Sequence, residues 1–165
     1  MMTLYHGSTV RIEQPLAHVG REDLDFGQGF YLTSYPDQAK RWAIRMKLIR
    51  NVEDAFLNVY EFDSDSDSVL KAGYRHLFFE AYDQDWLDFI VESRKGLRPW
   101  EGYDLIQGGV ADDRVIDTVE DYLSQRITAE QALGQLRYVK PNHQICILNQ
   151  SVIDRWLKFV DCVSI

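Results

Sequence analysis

Two cysteines, four prolines and ten glycines are all that 165 residues contain of these types. Cys146 and Cys162 cannot make a disulfide framework, and no Cys/His spacing matches a zinc site. Few prolines and glycines beside 45% hydrophobic and 13% aromatic residues exclude a disordered, collagen-like or low-complexity chain. No run of about 18 apolar residues is present, so no segment reads as a membrane span. Met1-Met2-Thr3-Leu4-Tyr5-His6 has no charged stretch leading into an apolar one, so it does not read as a signal peptide. Positive charge is also short: 18 Lys and Arg face 26 Asp and Glu, a net −8. Such a surface repels phosphate backbones and argues against non-specific nucleic-acid binding, while a local basic patch could still take a small anion.

What is present suits one domain of 165 residues, long enough to bury a sizeable core. The expectation is a soluble, cytoplasmic α+β domain without internal repeat or linker. Residues 3–6 read as a strand that stops at Gly7-Ser8. Residues 30–33 read as a second strand leaving the Gly27-Gln28-Gly29 turn. Ser34 is placed to cap the following helix, with Pro36 in its first turn. Ala39, Trp42, Ala43, Met46 and Ile49 recur at helical spacing as its apolar face. Residues 55–62 alternate as a strand. The Asp/Ser alternation over 63–68 resembles a calcium loop, but Ser68 stands at the sixth position and Tyr74 at the twelfth, so a solvated turn is the reading. Helices are expected over 83–95, 112–124, 128–136 and 151–157, with Thr128 and Gln131 forming a capping box. Strands are expected over 103–106, 143–148 and 159–163.

Three segments carry chemistry. Tyr5-His6-Gly7-Ser8 ends the first strand, Phe26-Gly27-Gln28-Gly29-Phe30-Tyr31 enters the second, and Asn142-His143-Gln144-Ile145-Cys146-Ile147 is a late strand. Together they resemble the ADP-ribosyltransferase superfamily, on the side of diphtheria toxin and the poly(ADP-ribose) polymerases. That side carries a His-Tyr-Glu triad, and the resemblance puts His6, Tyr31 and Gln144 on its three places. Trp42 falls eleven residues after Tyr31, where the family has a second stacking aromatic. Ala39 stands where it has a Ser. More closely, the chain is similar to an uncharacterised bacterial family of this superfamily through Leu4 to Ser8, Asp25 to Thr33, Trp86-Leu87-Asp88-Phe89-Ile90 with Arg94, Tyr103-Asp104-Leu105-Ile106, and Ala111-Asp112-Asp113.

The resemblance implies two mainly antiparallel sheets around an NAD cleft, with helices at the periphery. It implies NAD⁺ as substrate, His6, Tyr31 and Gln144 as catalytic residues, and Gly7, Ser8, Gly29, Phe30, Trp42, Arg94 and Asp113 as NAD-binding residues, with no metal. The implied activity is mono-ADP-ribosyl transfer to a macromolecular acceptor. A small antitoxin-like protein is the implied partner, because such proteins are often encoded beside small partners.

The chemistry can be stated from the residues. Nicotinamide in NAD⁺ is a cationic ring, which aromatic faces such as Tyr31 and Trp42 hold well. His6 can hydrogen-bond a ribose hydroxyl. Loss of nicotinamide leaves an oxocarbenium-like sugar, helped by hydrogen bonds to the 2-OH, and Gln144 can supply one. A neutral amide supports that charge less than a carboxylate would. This points to single-unit transfer or slow NAD⁺ hydrolysis, with Asp88, Asp112 and Asp113 as possible assisting acids, or to a non-catalytic NAD or ADP-ribose binding module. Other readings stay open. Trp42 on an apolar helical face also reads as core. Arg94 reads equally as a phosphate ligand or as a partner of Asp88 or Asp104. Asp112-Asp113 reads first as a helix cap. Gln144, Cys146 and Leu148 share one strand face, and Ile145 and Ile147 the other.

Overall fold

The computed structural model describes residues 1–63 and 71–165, so most of the Asp/Ser alternation lies outside the described residues. Seven strands and five helices are described: β1 (Met2–Ser8), β2 (Phe30–Leu32), α1 (Pro36–Arg50), β3 (Phe56–Phe62), β4 (His76–Phe78), α2 (Gln84–Arg94), β5 (Leu105–Gly108), α3 (Ile116–Leu123), α4 (Ala129–Leu136), β6 (Gln144–Ile147), α5 (Gln150–Trp156) and β7 (Leu157–Ser164). They form two sheets, ordered β1-β3-β7 and β2-β6-β5-β4. Every pairing is antiparallel except β4 with β5, which is parallel. The α+β class and the two mainly antiparallel sheets are therefore as the sequence led one to expect. Among the described residues no helix is long and apolar enough to cross a membrane.

The sheets meet where β1 and β2 touch. Tyr5 N–H donates to Thr33 O at 2.8 Å, and Thr33 N–H returns to Tyr5 O at 3.0 Å. Beyond that bridge the two strands part, β1 running with β3 and β2 with β6. Period-two alternation then sorts side chains into two cores. Leu4, Phe30, Leu32, Tyr60, Ile145 and Ile147 fill the core shared by both sheets. Cys146 and Leu148, on the other face of the late strand, join Phe26, Trp86, Leu87 and Ile90 in a second core under α2, α3 and α4. The late strand is thus buried on both faces, and Gln144 at its start is half-buried.

Several local expectations change. Only Ala39 and Ala43 of the expected α1 face are buried, while Trp42 and Ile49 are 50% and 65% exposed. The cause is the closeness of α1 to β1. A Cβ on Gly7 would lie 1.9 Å from Ala39 O, so the two backbones touch and the seam is only alanine-wide. Ser34 does not cap α1. Its N-cap is Tyr35 without a side-chain bond, and Pro36, with its preset φ, begins the helix. Asp112 and Asp113 do not cap α3, whose N-cap is Val115 without a side-chain bond. The Asp112 carboxylate instead takes Arg114 N–H at 3.0 Å and Asn142 Nδ2 at 2.9 Å, which holds residues 112–115 in a turn. The strand expected over 103–106 begins at Leu105 and continues to Gly108. β4 was not anticipated from residues 76–78. The capping box of Thr128 with Gln131 is present.

Two glycines test this packing in opposite directions. Gly7→Ala forces backbone against backbone and should lower the unfolding free energy by at least about 3 kcal/mol. Gly134 lies in α4, and a Cβ there meets nothing within 4 Å. Gly134→Ala should raise stability by about 0.5–1 kcal/mol. Chemical denaturation of the two variants beside the parent chain checks both signs.

Candidate functional site

His6 sits on β1 just past the Tyr5–Thr33 bridge. Its Nδ1 lies 2.7 Å from Tyr31 O. A carbonyl only accepts, so Nδ1 carries the proton and the neutral ring keeps its lone pair on Nε2. Among the described residues Nε2 has no hydrogen-bond partner. The ring stacks on Phe30 at 4.5 Å between centroids. Burial pushes the imidazole pKa below its ordinary value, and the bond to Tyr31 O only partly opposes this. His6 is therefore neutral near pH 7, with one acceptor to spare.

Tyr31 is tied at both ends. Its main-chain oxygen takes His6, its hydroxyl donates to Gly27 O at 2.6 Å, and the same oxygen accepts from Phe26 N–H at 3.1 Å. The phenol closes the Phe26–Gly27 turn, and burial raises its pKa well above the usual value. Gly27 is in the left-handed region with φ +84°, and a Cβ there would lie 2.2 Å from the Trp100 ring. Glycine is required on both counts. Across the ladder Tyr31 faces Cys146, so Gln144 lies on the same sheet face one diagonal step away, about 7–8 Å in such pairs. His6 joins the pair through main chain: its ring packs with Phe30 on the inter-sheet side, whereas the Tyr31 ring packs on the helical core.

The residues expected to bind NAD separate into groups. Gly7 has its Cβ space filled by α1, so its bareness serves helix packing rather than ligand approach. Gly29 admits Cys146, whose Sγ would be 2.4 Å from a Cβ there. Phe30 is 6% exposed and belongs to the inter-sheet core. Ser8 is buried, and its Oγ accepts from Val10 N–H at 3.3 Å. Arg94 pairs with neither Asp88 nor Asp104: its Nε and Nη2 donate to Asp25 Oδ1 at 3.1 and 2.9 Å. Asp25 Oδ2 in turn accepts from Ala111 N–H at 2.8 Å. Asp88 is held by Gln84 Nε2 at 2.8 Å and the Tyr122 hydroxyl at 3.3 Å. Trp42 stands at the surface under the Arg45 guanidinium, 6.0 Å from its ring centre. Arg45 also reaches Asp113 at 3.6 Å, which links α1 loosely to the loop after β5. No ring pairing joins Trp42 to Tyr31 among the described residues.

The side chains beside Gln144 are the part that sequence reasoning missed. His143 Nδ1 accepts from Ser34 N–H at 3.2 Å and lies 2.8 Å from Ser34 Oγ. Its Nε2 meets the Gln107 amide at 3.0 Å, and its main-chain oxygen takes Gln38 Nε2 at 3.2 Å. Asn142 Oδ1 accepts from Val110 N–H at 2.8 Å. The start of β6 is thereby fastened to Ser34 between β2 and α1, to α1 itself, to β5 and to the loop after β5. The signal was the Asn-His pair directly before Gln144. Asp25, directly before the Phe26-Gly27 turn, was the other signal. Two surface hollows lie elsewhere. One of about 470 Å³ is lined by Met1, Glu61, Asp154, Trp156 and Phe159, and one of about 530 Å³ by Phe78, Glu80, Asp88, Glu92 and Tyr103. Neither contains His6, Tyr31, Trp42 or Gln144.

The chain belongs to the family described as protein of unknown function (DUF3990), whose model matches residues 2–159. That stretch holds every candidate site residue from His6 to Gln144. No curated protein and no solved structure matches the chain.

Two measurements probe the site's supports. Asp25→Asn leaves the Arg94 guanidinium without its counter-charge and mispairs the amide, which should cost about 2–3 kcal/mol in an unfolding titration. Burial lowers the pKa of His6, His76 and His143 in the folded chain. The unfolded chain, with histidines near about 6.5, then binds more protons below that pH. Stability should be full above about pH 6.5 and fall as the pH drops through the lowered folded values. His6→Asn and His143→Asn should each flatten that fall in thermal melts between neutral and mildly acidic pH.

Proposed function

We propose that the chain is a mono-ADP-ribosyltransferase that uses NAD⁺ to modify a macromolecule. The observation that carries this reading is the His6–Tyr31 clamp. A neutral imidazole is held by its Nδ1 proton at the fork of the two sheets, and its Nε2 acceptor has no partner among the described residues. A ribose hydroxyl is a donor of the right kind for it. Gln144 shares the sheet face of Tyr31, and Trp42 offers a half-exposed indole on the neighbouring helix. In this scheme Tyr31 and Trp42 hold the cationic nicotinamide. The Gln144 carbonyl accepts a hydrogen bond from the ribose 2-OH. The bond between ribose C1 and the ring nitrogen breaks, and nicotinamide leaves neutral with the electron pair. The acceptor's nucleophile bonds to C1 and releases its proton to solvent water. Arg94 and Phe30 act as supports, the first by tying residues 25 and 111 together, the second by backing His6.

The scheme places the protein in the cytoplasm, with NAD⁺ as substrate, an acceptor chosen by loops such as residues 16–25, and a small protein partner. Free nicotinamide released from NAD⁺ by the purified chain tests it. Release is expected, and His6→Ala and Tyr31→Ala should abolish it; because both residues also support the fold, the loss counts for the scheme only where circular dichroism and melting show the variant still folded. Gln144→Glu should raise turnover about tenfold, the worth of exchanging a neutral for a charged hydrogen bond. Saturable NAD⁺ binding without release would instead assign a non-catalytic binding module. Neither binding nor release would overturn both readings.

A further inference from the structure

α1 leaves most of its circumference without a partner. Ile44, Leu48 and Ile49 are 45%, 74% and 65% exposed, and Trp42 adds a half-exposed indole. Arg41 and Arg45 are exposed among them. The helix carries Lys40, Arg41, Arg45, Lys47 and Arg50 against the single acid Asp37, in a chain of net charge −8. Exposed apolar side chains interleaved with charge of one sign on an unpartnered helix face suit an interaction surface. The narrow alanine seam on β1 explains why these side chains face outward, but not why they are apolar.

The complementary surface is on the same chain. The hollow of about 530 Å³ beside β4 and α2 has an aromatic floor of Phe78, Phe79 and Tyr103 and a rim that includes Glu80, Asp85 and Glu92. Phe78 is 51% exposed. β4 is the outermost strand of its sheet. α1 packs on β1 and β3 of the other sheet, so the two surfaces do not overlap. One is convex, apolar and basic, and the other concave, aromatic and acidic.

We propose that α1 of one chain docks into the β4–α2 hollow of a second copy. Leu48 and Ile49 sit over the aromatic floor, and Arg41 and Arg45 meet Glu80 and Glu92 at the rim. Because different surfaces of each copy are used, the contact is head-to-tail and propagates beyond a dimer unless it closes as a ring. Electrostatic matching sets register and speed, and the apolar centre holds the contact. This proposal does not rest on the proposed reaction.

Sedimentation of the full chain over a wide concentration range tests it. Mass should rise with concentration at low salt and fall as salt screens the rim. R41E/R45E and E80K/E92K should each stay monomeric alone, and mixing the two should restore association. Leu48→Asp should weaken association at least about tenfold. A wild-type chain that remains monomeric throughout would overturn the proposal, as would association that survives both charge reversals. Binding of the monomer to phosphatidylserine vesicles, lost in R41E/R45E, would give α1 to a membrane surface and would equally overturn it.

Discussion

Three hydrogen bonds hold β1 against β2: the pair between Tyr5 and Thr33, and the imidazole of His6 on Tyr31 O. The rest of the arrangement depends on this joint. On one side of it β1 goes to β3 and β7, on the other β2 goes to β6, and the shared core lies between. A side-chain bond substitutes for the ladder where the strands part, so the fork is fixed without a closed sheet. The same bond sets the tautomer of His6, and with it the chemistry left on Nε2. The lowered pKa is consistent, because a protonated ring would need a second acceptor that the described residues do not supply.

Around the joint, small residues let backbones approach and polar side chains tie the loops. Gly7 and Gly29 have no room for a Cβ, the first against α1 and the second against β6. Asn58 is fully buried, yet its amide is satisfied: Oδ1 accepts from Ile12 N–H at 2.8 Å and Nδ2 donates to Val10 O at 3.1 Å. It fastens the segment after β1. Arg94, Asp25 and Ala111 do the same for the turn before β2 and the loop after β5. His143, Ser34 and Gln107 fasten the start of β6. Each network crosses between elements distant in sequence, and each ends beside a candidate site residue. Rigid support of that kind is what a preorganised site requires.

Much of the fold was legible beforehand. Alternation located β1, β3 and β6, because a strand buried on one or both faces must alternate or run apolar. The division of β6 into a Gln144, Cys146 and Leu148 face and an Ile145 and Ile147 face followed from the same period, but burial of both faces is a tertiary fact. The Thr128 capping box was readable because both bonds join residues three apart. β4 was not readable: three residues give no period, and its strand character comes from pairing with β5. The α1 face failed for a related reason. Period identified a helix with an apolar stripe, but which stripe is covered depends on how near the sheet comes, and Gly7 set that distance. Ser34 and Asp112 have the right chemistry for capping, yet Ser34 is taken by His143, 109 residues away, and Asp112 by its near neighbour Arg114 together with Asn142, 30 residues away.

The candidate site divides the same way. That His6, Tyr31 and Gln144 lie on strands, and that Gln144 shares a face with Cys146, was determined by the order of residues, because strand period is a local property; that β1 runs on past His6 through Gly7 and Ser8, where a turn was expected, came from its pairing with β3. That His6 reaches the main chain of Tyr31, that Arg94 answers Asp25, and that Trp42 stands in solvent was decided only by the tertiary structure. These are facts of distance between segments as far as 69 residues apart. Hydrogen bonds and ion pairs act over a few ångströms, and sequence separation does not encode which groups come that near.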